Sequence, residues 1–288
     1  MWIVAAVFSA FFAGVTAVLS KCGLKNVDSD AATAVRTTVV AVFSWLVVWW
    51  TGSLDAVAKI DGRSLLFLIL SGLATGASWL CYFKALSLGE MSRVAAVDKS
   101  SVVVSVLLAM AIFPEERNAL PIKLVCLVFV AAGTFLMADI RRGEEKKKFG
   151  WLFFALLSAL FAAATSVLAK IGMDDVPSSV ATAIRTCVVL VAAWLFVLGR
   201  GKTGEIKKIK GREALFLVLS GAATGIGWLC YYYAVQNGSV GVVVPIDKMS
   251  IWVTVIFSCV VLKEKPSARS WAGLVLLTAG TVAMAVWT

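Results

Sequence analysis

The chain repeats itself. The run Ala32, Thr33, Ala34, Val35, Arg36, Thr37 returns as Ala181, Thr182, Ala183, Ile184, Arg185, Thr186, an offset of 149 residues. The same offset carries Ser71 to Tyr82 onto Ser220 to Tyr231, Asp98 and Lys99 onto Asp247 and Lys248, and Glu115 onto Glu264. Further on, Ala132, Gly133, Thr134 answers Ala279, Gly280, Thr281 at an offset of 147, so the first half holds two extra residues in the turn at 116–120. Tandem duplication of so long a unit is a strong constraint, because both copies must adopt one architecture.

Each copy divides into five apolar runs. In the first half they are about 2–20, 31–50, 64–86, 93–113 and 119–139; in the second, about 151–169, 179–198, 213–235, 241–262 and 269–287. Each approaches the roughly 20 residues that a helix needs to cross about 30 Å of hydrocarbon. Composition agrees, with 60% hydrophobic residues and only 15% charged, where a soluble domain carries about 25%. The expected fold is all-α and integral to the membrane, with ten transmembrane helices. Five is odd, so the second copy enters from the opposite face and the two five-helix repeats have inverted topology. The expected domains are residues 1–140 and 151–288, joined by a charged linker at 141–150.

The net charge of +10 sits mainly in connections between apolar runs, so it reads as a topology signal and not as a nucleic-acid surface. Loops on the N-terminal side hold five Lys and Arg and loops on the other side seventeen, which by the positive-inside rule puts both termini outside. Histidine is absent, removing Ser-His-Asp catalysis, HExxH zinc chemistry and an imidazole relay. The six cysteines show no CxxC spacing and read as small buried residues. No cofactor and no metal are expected. The first apolar run lacks a basic lead-in and a small-residue cleavage site, so it reads as a retained helix.

Two five-helix repeats, an Arg early in the second helix of each (Arg36, Arg185), a Glu after each fourth helix (Glu115, Glu264) and glycines in the fifth (Gly133, Gly273, Gly280) resemble the EamA-like branch of the drug/metabolite transporter superfamily. The resemblance spans the chain. It implies a cavity lined by the first four helices of each half, alternating access, efflux or exchange of metabolites, amino acids or drugs, a plasma-membrane location and cytoplasmic termini. The family's Gly before the Glu is Pro114 in one half and Lys263 in the other.

Five basic and two acidic residues fall inside the runs: Arg36, Lys84, Lys99, Arg185, Lys248, Asp98 and Asp247. A charge there costs roughly 2.5–3.5 kcal/mol on insertion scales, so each should face a cavity or a partner. Arg36 and Asp98 both sit about five residues inside helices that start on one face, a depth of roughly 8 Å, and Arg185 and Asp247 match beneath the other face. The expectation is two ion pairs, Arg36 with Asp98 and Arg185 with Asp247, serving either as gates and solute ligands or as static ties. Lys99 and Lys248 follow the aspartates about 100° further round. Trp79 with Tyr82 and Trp228 with Tyr231 supply aromatic walls or an interfacial belt, and Gly72, Gly76, Gly221 and Gly225 are small-residue spacings for close packing.

The sequence therefore points first to a secondary transporter of a small organic solute, amino-acid-like, aromatic, anionic or zwitterionic. A membrane-embedded enzyme, a lipid-modifying protein, a non-transporting scaffold and a cationic drug exporter are the alternatives. The expected partners are the solute and the lipid bilayer, with no nucleic acid, in a monomer or homodimer.

Overall fold

The computed structural model describes residues 1–23, 27–88, 97, 100–137, 149–260 and 267–287. Every regular element among them is helical: α1 (Trp2–Gly23), α2 (Ser29–Trp50), α3 (Leu54–Ala58), α4 (Gly62–Leu88), α5 (Ser101–Ile112), a 3₁₀ turn (Pro114–Arg117), α6 (Leu120–Met137), α7 (Phe149–Gly172), α8 (Ser178–Gly199), α9 (Thr203–Ile206), α10 (Gly211–Asn237), α11 (Val240–Lys248), α12 (Ser250–Val260) and α13 (Ala268–Trp287). Among the described residues, nine stretches are long and apolar enough to cross a membrane, and Ser101–Ile112 is a shorter apolar helix. Large apolar side chains stand exposed along them, among them Val4, Phe8, Val128, Leu195 and Val275, as a lipid-facing surface requires. The charged linker expected at 141–150 lies almost wholly outside the described residues.

The chain forms two compact units, one of residues 1–76 and 168–237, the other of 77–167 and 238–288. These cut across the sequence repeat: each unit draws helices from both halves, and α4 and α7 each contribute to both.

In the first unit, α2 and α8 run antiparallel. Asp30 at the start of α2 meets Arg200 just past the end of α8 at 2.8 Å, Trp194 donates to Thr38 at 3.2 Å, and Trp45 donates to the Cys187 sulfur at 3.1 Å. Helices α1 and α10 are likewise antiparallel, joined by Ser20 with Ser220 at 2.8 Å and Thr16 with Thr224 at 3.3 Å. Glycine sets how closely α10 approaches α2. A Cβ on Gly221 would lie 2.7 Å from the Val39 Cβ and 3.0 Å from the Arg36 carbonyl. The repeat-related Gly72 meets Val188 at 2.7 Å and the Arg185 carbonyl at 3.2 Å, so these glycines are the close approaches that the spacing anticipates.

In the second unit, α6 and α13 cross backbone to backbone. A Cβ on Gly133 would sit 2.5 Å from the Leu277 nitrogen and 2.6 Å from the Gly273 carbonyl. Alongside this crossing runs an apolar groove of about 810 Å³ bounded by Phe129 and Trp287. The single span expected at 241–262 is instead two helices, α11 and α12, divided at Met249. Pro245 within α11 has no N–H to give, and the Met249 N–H turns back to Ile246 at 2.9 Å. Both relax the α-helical ladder. In the first half Ser100, the repeat partner of Met249, donates to the Val97 carbonyl at 3.0 Å in the same three-residue pattern. The break at Met249 falls immediately after Asp247 and Lys248, and Ser100 follows Asp98 and Lys99 in the sequence.

Candidate functional site

The first unit holds both spanning arginines. Arg185, on α8, is 2% exposed. Its Nε donates to the Ser71 hydroxyl at 2.8 Å and its Nη2 to the Thr75 hydroxyl at 3.3 Å, and its guanidinium carbon lies 4.0 Å from the centre of the Tyr232 ring. Arg36, on α2, is half-buried, and its Nη2 donates to the Thr224 hydroxyl at 3.2 Å. Ser71 and Thr75 answer Ser220 and Thr224 at the repeat offset, so each arginine reaches a hydroxyl ladder on the third helix of the opposite repeat. The ladders form because residues four apart on a helix share a face. Thr75 and Thr224 each also donate to the carbonyl one turn back, at 3.0 and 2.7 Å, leaving oxygen lone pairs toward the guanidinium.

Hydroxyls and an aromatic face solvate a guanidinium without neutralising it. In low dielectric, a charge held this way keeps a strong field for an anion. Two guanidinium nitrogens, Arg36 Nε and Arg185 Nη1, are buried without a hydrogen-bond partner among the described residues, and buried donors of this kind call for an acceptor.

The other expected site residues are distributed as follows. Trp228 and Tyr231 lie half-buried in the first unit, with the Tyr231 ring edge-on to Tyr232 at 5.0 Å. Trp79, Tyr82, Asp247 and Lys248 belong to the second unit, where Tyr82 packs with Trp151 and Phe154 on Ala85 and Ala155. Asp98, Lys99 and Glu264 lie outside the described residues. Of the two expected ion pairs, the one between Arg36 and Asp98 therefore includes a residue not described, and the one between Arg185 and Asp247 takes a residue from each unit.

Sequence reasoning missed the hydroxyl ladders, although Ser71, Thr75, Ser220 and Thr224 stood inside the longest repeated match. Tyr232 belongs with Tyr233 to the tyrosines expected beside the aromatic wall, and Lys123 counts by sequence as a loop charge. Lys123 is 1% exposed. Its ammonium reaches the Glu116 carboxylate at 3.1 Å and the Glu116 carbonyl at 2.8 Å. Glu116, fully buried, also accepts from the Val240 N–H at 2.6 Å, the Gly241 N–H at 3.4 Å and the Ser239 hydroxyl. It thus caps the start of α11 with negative charge, which the helix dipole favours. Its neighbour Glu115, the motif residue, is exposed. The six cysteines are free, with Cys126 buried and the others half-buried.

A family model of EamA-like transporters matches residues 1–138 and again 149–286. The chain belongs to the EamA-like transporter family. A relative from Sinorhizobium sp., the uncharacterized transporter in the cobO 3′ region, is 43% identical over 137 residues, 48% of this chain and 97% of its own length. One solved crystal structure, 20% identical, superposes with a TM-score of 0.80 over 98% of this chain and 95% of its own, a likeness of fold alone. EamA-like proteins are transporters, so the transporter reading stands ahead of the enzyme, and the molecule is a multi-pass helical membrane protein.

Proposed function

We propose that this EamA-like protein is a secondary transporter that carries a small anionic or zwitterionic organic solute by alternating access, as an exporter or exchanger, across the plasma membrane. The observation that carries this reading is the pair of arginines within spanning helices whose described partners are hydroxyls and a ring. Their charge costs too much in hydrocarbon to be idle, and a solute carboxylate is an acceptor that suits an unpartnered guanidinium N–H in this unit. The antiparallel pairing of α2 with its repeat partner α8 supports inverted five-helix repeats, 1–140 and 151–288, the arrangement on which alternating access rests. A cationic drug fits poorly beside two guanidinium groups.

The test is exchange in proteoliposomes loaded with amino acids, nucleosides and aromatic acids, with loss of each compound read by mass spectrometry. Wild-type protein should release one acidic or zwitterionic class selectively, and Arg36→Gln should abolish that release, with Arg185→Gln as the second control. Selective release unchanged in both variants would remove the arginines from the pathway, and the absence of selective release from a folded preparation would overturn the reading.

A further inference from the structure

The two arginines occupy equivalent positions in the repeat but not equivalent surroundings. In the α8 half, the Arg185 Nε takes the Ser71 hydroxyl at 2.8 Å. The corresponding serine in the α2 half is Ser220, and it is engaged elsewhere: its hydroxyl bonds Ser20 at 2.8 Å and the Thr16 carbonyl at 3.3 Å, both on α1. The Arg36 Nε, which would otherwise take it, is buried with no partner among the described residues. One residue differs between the halves at this contact: Ser20 corresponds to Ala169, which is fully buried and offers no hydroxyl of its own.

Arg185 is therefore tied by two hydroxyls and a ring and is 2% exposed. Among the described residues Arg36 has one hydroxyl, at 3.2 Å, and is half-buried. A guanidinium offers five N–H donors in a planar fork suited to a carboxylate. Among the described residues the fork of Arg185 makes two hydrogen bonds and lies under a ring, and that of Arg36 makes one.

We infer that the duplicated arginines have divided their work: Arg36 is the residue that binds the carboxylate of the solute, and Arg185 is a fixed tie between α8 and α4. This rests on the transporter reading and narrows its solute to compounds bearing a carboxylate. The Thr224 hydroxyl, already in contact with Arg36, orients the guanidinium toward the bound oxygen atoms, while Ser20 keeps the Ser220 hydroxyl from competing for it.

The experiment is thermal unfolding of the purified protein in detergent with acetate, benzoate, phenylpropionate and malate, each matched by the neutral compound in which every carboxylate is an amide. At least one acid should raise the melting temperature by several degrees where its amide does not. Arg36→Gln should abolish that shift, weakening binding roughly tenfold or more as expected for a lost charge-assisted bond, and Arg36→Lys should restore part of it. Arg185→Gln should lower the baseline melting temperature and keep the acid-dependent shift. A shift that survives Arg36→Gln, equal shifts from acids and amides, no shift from any acid, or loss of the shift in a folded Arg185→Gln protein would each overturn the assignment. The transporter reading fails separately: an acid that binds through Arg36 but is never released from proteoliposomes sinks that reading and leaves the site standing. Selective release of an uncharged solute, indifferent to Arg36→Gln, does the reverse.

Discussion

Glu116 is the most heavily engaged carboxylate among the described residues. It joins the 3₁₀ turn after α5 to the ammonium of α6 and to the first amides of α11. Neutralising it leaves Lys123 charged in a site that excludes water, which costs about 3–5 kcal/mol. Glu116→Gln should therefore lower the thermal stability of the detergent-solubilised protein sharply, and Glu116→Gln with Lys123→Met should recover most of the loss. A double variant no better than the single one would show that the amide contacts of Glu116, and not its charge, hold the turn. At this scale the sequence was partly legible. Arg36 and Arg185 stood out because a cation inside an apolar run is costly, and the repeat gave their correspondence. Glu116 and Lys123 did not stand out, because both lie between apolar runs, and a charge there reads as solvated unless the turn's burial is known. The hydroxyl ladders were equally quiet, since serine and threonine carry no insertion cost large enough to mark them.

Helix positions were legible to within a few residues for most spans, because apolar length fixes a membrane helix. The break between α11 and α12 was not, since a proline in an apolar run is compatible with either a kinked or a divided helix. Glycine contacts give this scale its sharpest test. Gly133→Ala would place a methyl group 2.5 Å from backbone on α13, so the helices must separate, at a cost of about 1–3 kcal/mol. Gly150→Ala, where the nearest atom is 3.7 Å away, should change the melting temperature little; equal effects would show that the α6 and α13 crossing yields freely. The ends of α2 and α8 supply a pH test. Burial raises the Asp28 carboxyl, but the Lys202 ammonium and the Ala31 and Asp30 amides outweigh it and hold it below its ordinary 3.8. Bonds to Asp28 and Asp30 raise Lys202 above its ordinary 10.5. A depressed carboxyl stabilises the fold above its ordinary value and loses that contribution as pH falls through its lowered one; a raised amine stabilises it below its ordinary value and loses that as pH climbs through the raised one. The stability difference between wild type and Lys202→Gln should hold at about 1 kcal/mol or less from about pH 5 to 9. It should shrink below about pH 4; a difference unchanged there would mean the cluster contributes through packing alone.

The repeat declared the duplication of the whole molecule but not how its parts assemble, because sequence identity between copies says nothing about which copy covers which face. The compact units each mix helices from both halves, and the principal helix pairs, α1 with α10, α2 with α8 and α6 with α13, each join one half to the other. Residues 1–140 expressed alone should be degraded, and co-expression with 151–288 should restore both to the membrane fraction; stable accumulation of either alone would contradict the mixed units. Within the first unit, Ser20 and Ala169 carry a consequence of another kind. The symmetric positions hold the same cation, and what distinguishes them is which acceptor a neighbouring helix has already claimed. Duplicated sites in such a chain can thus exchange duties while their charged residues stay unchanged, through a hydroxyl gained or lost one helix away, and divergence of role leaves its trace in small side chains that alignment would class as neutral.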